Sequence, residues 1–395
     1  MAIARALRAA SPRASVEWVT AEPALTYLRL WGERVLNCSE SLETFSAAIE
    51  GIFNIHGFSI GRLREYLGIL RRNYGVISEC VDFDAYDAIL ADEFWELMLE
   101  APPSIAERVI FATDLATLPY GRGFRSAIIS LIVNHYFRRA YLRFGWRVYL
   151  NSLEETPRFR WYVLAGPRVA EWVRENMFVA GLATSYLPRE LPERSAAREA
   201  LGVSGSKLVV ASVGGTSAGS LKFLSTVVKA VDIARRSSTS NIKLVMVRGP
   251  RTPEIEGFRR EWVVSHGLLK SLTDLYMAAD LLIVRPGRTT TADLECLPTG
   301  VKALLVPIKG HSEQEYIAGT VSRRFPQRFE LVREGVSPKD LGLRILEALE
   351  SGRPSASRPG EGECLGSVRA AEYVLAIASG DAGAEHHTDR ASKPV

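Results

Sequence analysis

Short runs of Val, Ile and Leu alternate with longer amphipathic stretches along most of this 395-residue chain. Strands buried on both faces, with helices covering them, produce that pattern, so it predicts parallel sheets in an α/β fold. In the first half, VEWVT (16–20), YDAILA (86–91), RVIFAT (108–113), WRVYL (146–150) and MFVAG (177–181) are expected as strands of one sheet. Between them, SLETFSAAIEGIF and GRLREYLGIL show helical spacing, with Leu63, Tyr66, Leu67 and Leu70 on one face. A second series follows: KLVVASV from Lys207, a helix from about Leu221 to Arg235, IKLVMV from Ile242, DLLIV at 280–284 and ALLVP at 303–307.

Composition changes between the two series. From Leu182 to Ser206 the chain holds two prolines, two glycines and many charges, with little periodicity, as interdomain segments do. The expected organisation is a Rossmann-like domain over 1–183, a linker over 184–206 and a second α/β domain over 207–351. A connector and final helix over 352–379 pack back on the first domain, and a polar, disordered tail fills 380–395.

With 47% hydrophobic and 24% charged residues the chain reads as globular. Its longest apolar run, AIISLIVNHYF from Ala127, is broken by Ser130, Asn134 and His135 and falls short of the roughly 20 residues of a membrane span. The opening MAIARALRAA lacks the apolar core of a secretory signal, so a cytoplasmic protein is expected. A net charge of +4 is too mild for a dedicated nucleic-acid binder. The four cysteines show no CxxC spacing, and no metal site or resident cofactor is expected. Arginines cluster in GRGFRSAIISLIVNHYFRRAYLRFGWR. A core helix with arginines at its solvent edges is the preferred reading, and a membrane-surface patch at the inner face, reaching a lipid-linked acceptor, is the other.

In VVASVGGTSAGSL, residues 209–221, an apolar strand enters a loop with Gly214, Gly215, Thr216 and Gly219 and then a helix. Glycines let backbone amides approach an anion, hydroxyls donate to it, and the positive helix end attracts it. The spacing matches neither GxGxxG nor the P-loop with its lysine. Near 285 the arrangement recurs: AADLLIV ends at Arg285, then PGRTTTADLE leads through Gly287, Thr289 and Thr290 into another helix. Asp293 and Glu295 follow as carboxylates for the paired hydroxyls of a ribose. In VPIKGHSEQEYIAG, Ser312 and Glu315 form a capping box, which sets Glu313 and Gln314 in the first helical turn beside the strand end. An acid next to an amide suits several sugar hydroxyls.

The order of GGTSAG, AADLLIVRPGRTT, a carboxylate and VPIKGHSEQ resembles the carboxyl-terminal domain of the MurG-like, family 28 glycosyltransferases, and more distantly the glucuronosyltransferases, from about Lys207 to Gly319. The resemblance implies the GT-B architecture, two Rossmann-like domains facing one cleft. It also implies an enzyme whose second domain binds a nucleotide-diphospho sugar. Gly214, Gly215 and Thr216 then look like the diphosphate loop, and Gly287, Thr289 and Thr290 like the second phosphate-side loop. Asp293 stands six residues after Gly287, at the family's ribose-binding glutamate, with Glu295 as the fallback. Glu313 and Gln314 match the pair that contacts the donor sugar, and the backbone of Leu268 falls in the base-contacting loop. Two departures weaken the transfer of donor specificity. Arg285-Pro286 replaces the His-Gly of the glucuronosyltransferases, with arginine as an electrostatic substitute, and Lys302 replaces a proline.

The same families open with a strand and a glycine-rich loop that are missing here. A start downstream of the true one, a partner chain that supplies the lost element and a naturally degenerate domain all stay open. Without that loop, the expected catalytic base is Asp92, then Glu93 and Asp114, each at the carboxyl end of an expected strand. The expected function is an inverting hexosyltransferase using a uridine-linked donor. The alternatives are a sugar-nucleotide epimerase and a non-catalytic or split-transferase subunit that binds the same nucleotide.

Overall fold

The computed structural model describes residues 1–44, 59–117, 124–157, 160, 166–214, 219–249, 252–254, 258, 260–354 and 359–381. The chain divides into two compact units, Met1–Ala183 with Glu361–Val395, and Thr184–Gly360.

In the first unit β1 (Ile89–Asp92), β2 (Val109–Thr113), β3 (Trp146–Tyr149) and β4 (Phe178–Val179) form a parallel sheet in that order. Side chains alternate across β2 into two cores, which makes it buried throughout. Val109 and Phe111 pack with Tyr141, Phe144 and Trp172 on one face; Ile110 and Ala112 pack with Val148, Ala370 and Val374 on the other. The last two belong to helix Gly366–Ala378, against which helix Ala2–Ala10 lies.

VEWVT is not a strand. Trp18 makes a single bridge to Val35, while the indole Nε1 donates to Glu33 at 2.7 Å and Glu17 accepts from the Tyr86 hydroxyl at 2.6 Å. The alternating pattern serves these side-chain anchors, and among the described residues no neighbouring strand carries the ladder on. Most of SLETFSAAIEGIF lies outside the described residues. The GRLREYLGIL pattern continues through helix Ile60–Cys80. In the arginine-rich helix Phe124–Tyr141, Ala140 and Tyr141 enter the core while Ile128, Leu131 and Arg139 face solvent. Among the described residues no helix is long and apolar enough to cross a membrane.

In the second unit β5 (Lys207–Ser212), β6 (Ile242–Val247), β7 (Val263–His266), β8 (Leu281–Val284), β9 (Lys302–Leu305) and β10 (Phe329–Leu331) form a parallel sheet ordered β10-β9-β8-β5-β6-β7. This is the doubly wound order, with its reversal between β5 and β8. Helices Ser220–Ser237 and Pro338–Glu350 pack together on one face, burying Phe223, Val227, Val231, Leu341 and Ile345 over the strands. The proline- and glycine-bearing segment 184–206 carries helix Arg194–Ala200, whose Arg198 donates to the Ala278 carbonyl and to Asp280. Asp280 also accepts from the Leu208 amide at the start of β5, so a buried charge network fixes this segment to the sheet.

Candidate functional site

In doubly wound sheets ligands lie beyond the carboxyl strand ends where the order reverses, here after β5 and β8. After β5 the chain turns through Gly214, at φ +70°, and Gly219, at φ +65°, which caps helix Ser220–Ser237. Such angles exclude most side chains. Gly215 and Thr216 lie outside the described residues. The end of β6 presses close: a Cβ on Gly249 would stand 2.9 Å from the Gly214 carbonyl oxygen.

After β8, the Arg285 amide extends the ladder by donating to Ser212 at 3.1 Å. The Arg285 side chain runs inward and is buried. Its guanidinium lies 4.6 Å from the centre of the Phe223 ring, donates to the Val306 carbonyl at 2.9 Å and pairs with Glu334 at 2.5 Å. Burial lowers its pKa, and Glu334 opposes that effect. Gly287 caps helix Arg288–Cys296, with Thr289 exposed and Thr290 half-buried in its first turn. These hydroxyls and the free amides of the helix start form a second anion-tolerant edge.

The two carboxylates expected at the ribose have internal partners. Asp293 is buried; its oxygens accept from the Ser185 amide at 2.6 Å and the Ser185 hydroxyl at 2.7 Å, while its carbonyl accepts from the Tyr186 hydroxyl. Burial pushes its carboxyl up to about 7, against the opposing Ser185 bonds. Glu295, wholly buried, pairs with Arg288 at 2.9 Å and lies 3.7 Å from Arg324. A ribose role for either requires displacement of these partners.

Beyond β9 the chain turns back through residues 306–311 into helix Ser312–Arg324. The expected Ser312 cap is corrected: His311 is the cap and its imidazole accepts from the Gln314 amide, while Glu315 accepts from Gly310 at 2.8 Å. Burial lowers the His311 pKa, which suits a neutral ring acting as an acceptor. The side-chain oxygen of buried Gln314 accepts from the Ile308 amide at 3.0 Å, so it shapes this loop from within. Glu313 is half-buried in the same turn, and Leu268 is half-buried in the loop after β7. Sequence reasoning missed His311 and Glu334. The histidine directly before Ser312 was a cap signal in plain view; Glu334 belongs to no motif.

The carboxyl edge of the first unit's sheet holds the other candidates. Asp92 ends β1 at the rim of the sheet, where the protein packed around its carboxyl raises its pKa by desolvation and the Met1 ammonium opposes that rise. Glu93 has φ +48°, a strained value for a residue with a side chain, and accepts from the Thr113 hydroxyl at 2.8 Å. Asp114, half-buried after β2, accepts through its carbonyl from Asn151 at 3.2 Å. The structure thus gathers Gly214, Arg285, Gly287, Thr289, Thr290, Glu313 and Gln314 at one sheet edge, and Asp92, Glu93 and Asp114 at the edge of the other sheet.

No protein-family model matches this chain, and no curated protein matches it in sequence. Among solved structures it is similar to the glycotransferase of kitacinnamycin, at 14% identity over 95% of this chain and 94% of that one, with a TM-score of 0.58. The calicheamicin glycosyltransferase CalG4 matches at 14% identity over 96% and 95%, with a TM-score of 0.55. A putative UDP-N-acetylglucosamine 2-epimerase from Listeria monocytogenes matches at 13% identity over 95% and 92%, with a TM-score of 0.53. Together with the two parallel sheets, these likenesses give the fold: two Rossmann-like domains of the GT-B type.

Proposed function

We propose that this chain is a glycosyltransferase that binds a nucleotide-diphospho sugar, uridine-linked, through its second unit and transfers the hexosyl group with inversion to an acceptor hydroxyl. The observation that carries this reading is the convergence, where the strand order reverses, of two helix starts with a buried arginine between them. Amides, the Thr289 and Thr290 hydroxyls and Arg285 stabilise charge on the departing diphosphate. Glu313 and the turn shaped by Gln314 orient the sugar.

Asp92 takes the proton of the acceptor hydroxyl as its oxygen attacks the anomeric carbon and the bond to the diphosphate breaks. A raised pKa makes its carboxylate a stronger base, a direction that fits this task. The glycosyltransferase names of two similar structures support the activity, and the epimerase supports a uridine nucleotide while keeping its own chemistry as the rival.

The test follows UDP-glucose and UDP-N-acetylglucosamine by proton NMR, with the protein alone and with hydroxyl acceptors that include a polyprenyl phosphate sugar and small phenols. The transferase reading expects UDP release that depends on an acceptor, with an inverted anomeric centre in the product. In Asp92→Asn turnover should fall at least about 100-fold with donor binding retained. An altered sugar nucleotide in the absence of acceptor would make the protein an epimerase. Binding without turnover of either kind would make it a nucleotide-sugar-binding subunit.

A further inference from the structure

Glu334 stands three residues beyond β10, in a stretch with no recognisable motif. Its carboxylate spans two other loops. Oε1 lies 2.5 Å from Arg285 Nη2, after β8, and Oε2 accepts from the Lys309 amide, after β9, at 2.7 Å. A Cβ built on Gly219 would stand 3.7 Å from both Arg285 Nη2 and Glu334 Oε1, so the pair borders the end of the glycine loop after β5. Lys222, exposed in the first turn of helix Ser220–Ser237, adds its charge to the surroundings of Glu334.

The burial of this pair is uneven. The Arg285 side chain is 3% exposed while that of Glu334 keeps 28%, so the cation is built into the unit and the carboxylate reaches in from the solvent side. Arg285 Nε is buried and has no hydrogen-bond partner among the described residues, so the carboxylate leaves one donor of this cation unused. An isolated guanidinium held this deep is costly without an anion. The site therefore calls for an anion, and a side chain of the protein itself fills it.

We propose that Glu334 is an internal occupant of the diphosphate subsite, holding Arg285 and the Lys309 amide until the diphosphate of a nucleotide displaces it. The inference rests on the nucleotide-sugar reading above and adds a control on that same site. A diphosphate carries more charge and more acceptor oxygens than one carboxylate, so it serves Arg285, the Lys309 amide and Lys222 together. The displaced Glu334 moves toward water, where an ionised carboxylate costs little. If it stays, like charges oppose each other. By either route the carboxylate weakens apparent affinity, as any competing state does, and its return assists release of the product nucleotide.

The test is calorimetric titration of the full chain with UDP, inorganic pyrophosphate and uridine, using wild type, Glu334→Gln and Glu334→Ala, with the melting temperature of each recorded. The expected result is UDP and pyrophosphate binding that is about tenfold tighter or more in both variants, with uridine unchanged. Binding by the variants alone would support the inference most strongly. Should Glu334→Ala fail to fold, the near-isosteric Glu334→Gln carries the comparison. A folded variant that binds UDP no more tightly than wild type overturns the inference and leaves Glu334 as a positioning residue for Arg285, while wild-type binding keeps the nucleotide reading intact. No binding of UDP or pyrophosphate by any of the three proteins overturns both.

Discussion

Asp293 carries its charge where charge is expensive. Both oxygens are committed to Ser185, yet burial raises its pKa from 3.8 to about 7. A folded pKa above the unfolded one means that the group's contribution to stability is full below about pH 4, falls as pH rises and is gone above about pH 7. Asp293→Asn keeps the shape, with its amide able to donate to the Ser185 hydroxyl. In chemical denaturation the variant should match wild type near pH 4 and exceed it at pH 8 by about 1 kcal/mol or more. A wild type more stable than the variant at pH 8 would contradict the shift. The motif placed this carboxylate on the right helix, since its spacing from Gly287 is a property of sequence. Its partner Ser185 lies 108 residues away, in a segment read as a linker, and that separation hid its structural work. Arg285 was legible because a strand pattern ends on it. Glu334, 49 residues further on, was not, since only folding brings the ends of β8 and β10 together.

Helix Arg288–Cys296 is the element on which the second loop depends, and its carboxyl end is held from outside. Arg328, just before β10, donates to the carbonyls of Leu294 and Glu295 at that end, and the Leu294 carbonyl also accepts from the Leu297 amide. A cation there also suits the helix dipole. Burial lowers the Arg328 pKa to about 10, with Glu295 opposing that effect, so it remains charged at neutral pH. Arg328→Met should cost roughly 2–4 kcal/mol, because it takes a buried donor from the Glu295 carbonyl and removes positive charge near Glu295. Urea unfolding would show it as a lower midpoint, and an unmoved midpoint would refute the bracing role. The central strands were legible for a simple reason: β5, β6 and β8 are nearly continuous runs of Val, Ile, Leu and Met. β7 and β10 escaped notice, being four and three residues long with exposed members, Val264 and Leu331. VEWVT misled in the opposite sense, because strand-like alternation recurs where Glu17 and Trp18 answer to Tyr86 and Glu33 instead of a neighbouring strand.

At the scale of the molecule, the described residues form two parallel sheets of four and six strands, and the larger follows the doubly wound order. That order puts the loops after β5 and β8 side by side, which is the physical reason two weak glycine motifs gain meaning together. The central claim is that this edge binds a nucleoside diphosphate, and calorimetric titration of the intact chain with UDP, against GDP and ADP, tests it most directly. The account predicts one saturable UDP site, weakened at least about tenfold in a Thr289→Ala, Thr290→Ala double variant through loss of hydroxyl donors to the phosphates. A folded chain that binds none of the three nucleotides, as wild type and as Glu334→Gln alike, or a double variant that binds UDP as wild type does, would contradict it.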